Sequence, residues 1–199
     1  AFGSHHGVDL SMTDAGPIYP GVHFVRTAAM LTPDIIVFID QIEADAPHTF
    51  DLAYHQIGKW ENLPAGELWS AKRGDGYKYF SDATSRAACT THFSLTTKIG
   101  SDWHPQITLA EIEPTEIITG YGIWKTTEDK VPMLVQRRKA QRTAFVWAVS
   151  LAGTPMTLRA NDVKSEGKTL DKAQAIAVEV GSGDRSWLLV ANPQRRKIA

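Results

Sequence analysis

The residues best equipped for chemistry in this chain lie between His48 and Trp60, in the run HTFDLAYHQIGKW. On an extended strand successive side chains alternate, so Phe50, Leu52 and Tyr54 share one face and Asp51 and His55 the other. His55 precedes Gln56 and Gly58 near the expected strand end, where β-proteins place binding groups. An imidazole there can move a proton or hold a polar ligand, and His55 is the candidate catalytic residue. The alternative is a partly buried histidine bonded to Asp51 or Asp40. Gln56, Trp60 and His48 are candidate substrate contacts; His48, after Pro47, also fits a plain edge position.

The other histidines are weaker. His23 and His92 alternate with phenylalanines as sheet-surface residues do, and His104 sits in a loop signal. His5 and His6 are adjacent, so an extended chain points them apart and each offers at most one metal ligand. There is no HExxH, H-x-H or paired CxxC, and no metal site is expected in this chain. G-x-S-x-G, P-loop and dinucleotide-binding fingerprints are also missing. Cys89 is the only cysteine, so no internal disulfide can form. It reads as a small buried hydrophobe.

The run Gln136-Arg137-Arg138-Lys139-Ala140-Gln141-Arg142 reads as a basic hairpin joining two strands. Arg137 and Arg138 there can pair bidentately with carboxylate or sulfate, and are candidate contacts for an anionic sugar polymer. The alternative is a solvated turn that guards a sheet edge. Of six tryptophans, Trp147 and Trp187 read as core. Trp60, Trp69, Trp103 and Trp124 fall near strand ends, where flat rings either pack or stack on sugars.

The elements that must position these groups are strands. Period-two or wholly apolar runs appear at residues 22–29, 35–42, 48–57, 67–71, 77–80, 86–99, 107–112, 116–124, 133–138, 143–151, 156–160, 173–180 and 186–191. The separators carry turn residues, among them Thr32-Pro33-Asp34, Ala44-Asp45-Ala46-Pro47 and Gly181-Ser182-Gly183-Asp184. Only 164–174 tolerates a helix, and Gly167 interrupts it. So many short strands in 199 residues predict one all-β domain, a two-sheet antiparallel β-sandwich. The runs 144–149 and 187–190 are apolar on both faces and should be covered on both, by a loop or by a domain outside this chain.

A net charge of −1 argues against a nucleic-acid partner. No run nears the roughly 20 apolar residues of a membrane span. No leader peptide is legible, and a start at Ala1-Phe2-Gly3-Ser4 reads as a processed product, an excised domain or a fragment.

The wording of residues 19–60 adds a resemblance. YPGV-x-F-x-R-T, then an apolar strand ending in Asp40, then PHTFDLAYHQIG, resembles the β-sandwich domain of heparinase II/III-like polysaccharide lyases. The resemblance implies an α-helical toroid upstream of a C-terminal sandwich in the parent protein. It implies β-elimination on a uronic-acid polysaccharide of heparin, heparan or alginate type. In such enzymes the acid–base and carboxylate-neutralising groups come largely from the toroid, and the sandwich adds a histidine near the cleft, which His55 matches. Arg26 and Asp40 match recurrent positions with structural roles. The family's zinc, where present, is held by H-x-H, an Asp and an AHN motif. None of these occurs here, so zinc belongs, where present, to the intact parent, and this chain alone is expected to be inactive. Acidic polysaccharide and the toroid are the expected partners, and the bacterial periplasm or exterior the expected location. The rival readings are a stand-alone carbohydrate-binding module and a structural β-domain without ligand.

Overall fold

The computed structural model describes residues 1–16, 18–63, 65–69, 75–89, 92–110 and 112–194. In chain order the strands are β1 (Phe2–His5), β2 (Val8–Asp14), β3 (Val22–Thr32), β4 (Ile35–His55), β5 (Lys59–Trp60), β6 (Glu67–Leu68), β7 (Ser81–Cys89), β8 (Phe93–Lys98), β9 (Gln106–Leu109), β10 (Thr115–Ile123), β11 (Lys130–Ser150), β12 (Thr157–Asp162), β13 (Lys164–Ser165), β14 (Lys168–Thr169), β15 (Ile176–Ser182) and β16 (Arg185–Ala191). A 3-10 turn, Asp75–Tyr79, precedes β7, where a strand is expected at 77–80. No α-helix occurs among the described residues. Parts of the expected runs at 67–71, 86–99 and 107–112, and the side chain of Cys89, lie outside the described residues.

Two strands of 21 residues each, β4 and β11, organise the molecule. They pair antiparallel from Ser150↔Ile35 to Met133↔His55, with one break in register between Arg142 and Ala140. The early half of β4 and the late half of β11 lie in a central sheet, ordered β1-β2-β3-β4-β11-β9-β8-β5. Their other halves lie in a second sheet, ordered β4-β11-β10-β7-β6. The two sheets face each other. Leu134, opposite Tyr54, and Trp147 are on one strand, and a straight run between them would span roughly 40 Å. Yet the Tyr54 and Trp147 rings are 5.6 Å apart, centre to centre. The long strands therefore turn a corner, and Leu52, Ile117 and Leu134 pack against Leu95, Ile107 and Leu109 to form the sandwich interior. The expected antiparallel β-sandwich is present.

The corner corrects two expectations. Ala44-Asp45-Ala46-Pro47 does not reverse the chain, and the basic run at 136–142 is not a hairpin; each lies inside a continuous strand. Pairing stops at Arg142↔Glu43 and resumes at Ala140↔His48, so four residues of β4 face Gln141 alone. The Asp45 N–H donates to Gly21 O at 2.9 Å, and Gln141 Nε2 donates to Asp45 O at 3.1 Å. Turn-forming residues serve here as a corner, because Gly21 and the Gln141 side chain take up the displaced backbone groups of Asp45.

A third layer corrects another expectation. The outer face of the central sheet is covered by the chain's own C-terminal sheet, β12-β15-β16. Ala144, Val146, Ala148, Val37 and Ile39 pack on Leu158, Ile176, Val178 and Val180. This explains why 144–149 is apolar on both faces: Trp147 and Val149 point into the sandwich interior and their neighbours point into the third layer. Each fully buried Val or Ile contributes about 1.5–3 kcal/mol. In β16, by contrast, Trp187 and Leu189 pack inward while Leu188 and Val190 are exposed. Residues 164–170 form a tight hairpin, β13–β14, with Glu166 and Gly167 at φ +50° and +79°. Positive φ at both central positions fits a hairpin turn and rules out the helix.

Candidate functional site

The outer face of the second sheet carries a row of three charged residues, because Asp51 pairs with Arg137 and Arg137 with Glu116. Side chains in one cross-strand row touch. Arg137 Nε and Nη2 donate to the two Asp51 oxygens, each at 2.6 Å. Its Nη1 lies 4.0 Å from Glu116 Oε2. Tyr77, from the 3-10 turn, donates its hydroxyl to Asp51. The guanidinium carbon sits 5.3 Å from the Tyr77 ring centre and 5.7 Å from that of Trp69. Burial and the bond to Asp51 push the Tyr77 phenol far up, so it stays a neutral donor. Burial, then the Asp51 charge, raises the Glu116 carboxyl, while a hydrogen bond from Trp69 opposes them. Glu116 thus takes a proton more readily than an ordinary glutamate.

His55 lies on the same face, two residues along from Ala53, paired with Met133 and through it with Gly120. A Cβ at neighbouring Gly122 would fall 2.3 Å from Met133 Sδ and 3.2 Å from His55 Nε2, so a side chain there would have to displace the thioether. The imidazole therefore rests beside bare β10 backbone and a thioether. It is exposed and makes no hydrogen bond among the described residues. Partial burial lowers its pKa, which favours the neutral ring. Neither proposed structural partner reaches it. Asp51 is held by Arg137 and Tyr77, and the fully buried Asp40 is held by Arg26 at 2.6 and 3.0 Å and Trp147 Nε1 at 2.9 Å.

The other sequence candidates do not converge on His55. Trp60 turns into the sandwich interior and donates Nε1 to Gly120 O at 2.8 Å. Gln56 accepts from Tyr54 Oη at 2.5 Å, and burial pushes that phenol up to about 12. His48 is exposed, with Nε2 3.5 Å from Asp45, and borders an open groove of about 630 Å³. Arg138 is buried: it donates to Thr115, to Thr143 at 2.5 Å and to Ala144 O at 2.9 Å, pairs with Glu113 at 3.3 Å, and stacks 4.5 Å over Phe145. Adjacent on a strand, Arg137 and Arg138 point to opposite faces, and each is engaged by the protein itself. Arg137 and Arg138 therefore do not form one cationic patch.

Among the tryptophans, Trp69 is buried with Trp147, whereas Trp103 and Trp124 are 44% and 45% exposed. His23 pairs with Asp14 at 3.0 Å and His104 with Glu61 at 2.8 Å. A turn at His6, φ +49°, brings the His5 and His6 rings edge-on at 4.0 Å rather than apart. Among the described residues no three His, Cys, Asp or Glu side chains gather to hold a metal ion, and no helix is long and apolar enough to cross a membrane. Sequence reasoning missed Tyr77 and Glu116, and named Trp69 only as a ring near a strand end. Their link to Asp51 exists only through strand register, which alternation alone does not give.

No family model and no curated protein matches this chain. Solved structures do. A heparan sulfate lyase HepC from Pedobacter heparinus superposes with a TM-score of 0.61 at 12% identity, over 96% of this chain and 27% of that one. The heparinase III BT4657 gene product superposes with a TM-score of 0.60 at 13% identity, over 96% and 27%. A further heparinase III structure gives 0.59 at 10% identity, over 95% and 26%. The chain thus spans about a quarter of the length of the structures it matches. What the likeness establishes is a shared fold: this chain is built on the antiparallel β-sandwich that occupies about a quarter of these heparinase III and heparan sulfate lyase chains.

Proposed function

We propose that this chain is the β-sandwich part of a lyase that cleaves a uronic-acid polysaccharide by β-elimination. The observation that carries the reading is the superposition on heparan sulfate lyases over 96% of this chain, joined to the PHTFDLAYHQIG wording. β-Elimination needs the uronate carboxylate neutralised, the C5 proton taken by a base, and the leaving oxygen protonated as the C4–O bond breaks. His55 is the residue here suited to a proton transfer: it is exposed, unpartnered among the described residues and biased to the neutral ring. The carboxylate-neutralising group and the remaining acid–base groups belong to an α-helical toroid in the parent, which the sandwich walls on one side. Such an enzyme acts in the periplasm or outside the cell.

The test compares the intact parent with residues 1–199 alone on heparin, heparan sulfate and alginate. The parent should generate the ultraviolet-absorbing unsaturated uronate from one of them, and the isolated chain from none. A parent inert on all three, with glycan binding retained, sinks the lyase reading. That outcome favours a carbohydrate-binding module, for which the exposed rings of Trp103 and Trp124 are the supporting observation.

A further inference from the structure

The later half of β4 is an open sheet edge. β3 pairs with β4 only up to Ala44, and among the described residues β11 is the sole partner from His48 to His55. The direction of the open groups follows from one bond. Gln56 N–H donates to Pro132 O at 3.0 Å, which sets the even-numbered residues of this half into hydrogen-bonded pairs with β11. The N–H and C=O groups of Thr49, Asp51, Ala53 and His55 therefore point outward, and no partner meets them among the described residues.

Proteins guard such edges. The other margins of the two large sheets end in β1, β5 and β6, strands of four, two and two residues. Among the described residues the β4 edge is left without the usual guards. It has no proline after Pro47, it pairs with β11 in unbroken register from His48 to His55, and its one acidic side chain, Asp51, is turned onto the sheet face by Arg137 and Tyr77.

The groove beside it has the shape an added strand needs. It is lined by five consecutive residues, His48 to Leu52, so it follows the strand's edge rather than one of its faces. Its far wall is the inner face of the central sheet, Phe24, Arg26, Ile42 and Phe145, with Ile18 and Tyr19 at the rim, both largely exposed. Apolar side chains from alternate positions of a strand would cover this wall. Asp40 fixes Arg26 from behind through Nε and Nη2, leaving Nη1 without a partner among the described residues. That is one pre-oriented donor for a backbone carbonyl.

We infer that the edge of β4 from Thr49 to His55 takes an additional β-strand, supplied by polypeptide of the parent outside residues 1–199. The inference rests on the reading that these residues work within a longer lyase. The length of the matched chains beyond the shared fold, nearly three-quarters of each, is what favours this source over a second copy.

The test is residue-resolved amide exchange on the intact parent. Thr49, Asp51, Ala53 and His55 should exchange at least about 100-fold slower than open-chain amides, at a rate independent of protein concentration. Ala53→Pro removes one outward donor without touching the β11 ladder, and should restore fast exchange at Asp51 and His55. The wild-type measurement stands even where that variant fails to fold. Fast exchange of all four amides in the parent overturns the inference. So does protection that appears only with dimerisation, which assigns the edge to a second copy. So does protection that appears only on adding heparan sulfate oligosaccharide, which assigns it to a glycan. A parent with lyase activity and labile edge amides retires this inference alone; a protected edge in a parent without lyase activity retires the lyase reading alone.

Discussion

The two halves of β11 are one strand in two environments. From Ala144 to Ser150 every residue is buried, because the sandwich interior lies on one side and the C-terminal sheet on the other. From Lys130 to Ala140 one face serves the interior, while the other carries Met133, Val135 and Arg137 beneath Tyr77, Trp69 and Phe80. Where a whole sheet provides the cover, Val and Ala suffice. Where only a few side chains provide it, the cover is pinned by a charge-assisted cluster. Geometry is fixed by packing in the first case and by directional hydrogen bonds in the second. The exposed His55 and the Asp51–Arg137–Glu116 row lie on the second of these faces.

That contrast can be broken at its strongest point first. Asp40→Ala should cost about 3 kcal/mol, because it removes the fully buried acceptor shared by the Arg26 guanidinium and the Trp147 indole. Urea denaturation would show the midpoint falling sharply. In the second sheet, Arg137→Ala should cost about 1–3 kcal/mol, since Asp51 keeps Tyr77 as a donor. If Arg137→Ala proved costlier than Asp40→Ala, the ranking of the two sheets would be reversed.

A smaller effect is read from pH. Glu116 has its folded pKa raised, so the folded state holds the proton more tightly and its contribution falls as pH rises through the window just above the ordinary glutamate range. His55 has its folded pKa lowered, so its contribution rises with pH through the window just below the ordinary histidine range. The two slopes oppose each other. Glu116→Gln should remove the falling one, leaving stability that rises more steeply with pH, as melting measured across pH 4 to 7 would reveal. The smallest change in stability is expected for His55→Ala, within about 1 kcal/mol, because the ring is exposed and bonds nothing among the described residues. In the intact parent the same variant should lower turnover by about 100-fold or more. A large stability loss with normal turnover per folded molecule would rule out the functional reading of His55.

The all-β class was legible because alternation and turn residues are local properties. His55 and Asp51 were rightly placed on one face for the same reason: side-chain direction on a strand depends only on residue parity. The same parity separated His55 from Gln56, so their adjacency in sequence did not make one site. The basic run misled because turn-prone and charged residues describe an exposed hairpin and a strand rounding a corner equally well. Gln141 marks that corner only when Ala44–Pro47 of a distant strand lie opposite it.

The sequence by itself therefore determined the strand character, the face each side chain takes, the lack of a local metal motif, and a wording resembling one lyase family. Tertiary structure alone decided the long β4–β11 pairing, the fold-over of one sheet onto itself, the third layer, and the union of Asp51, Arg137, Glu116 and Tyr77. The reason is physical. Secondary structure and facing follow from neighbours along the chain, whereas register, closure and coverage depend on contacts between residues far apart in sequence, such as Asp51 with Arg137, 86 positions on, and Asp40 with Trp147, 107 positions on.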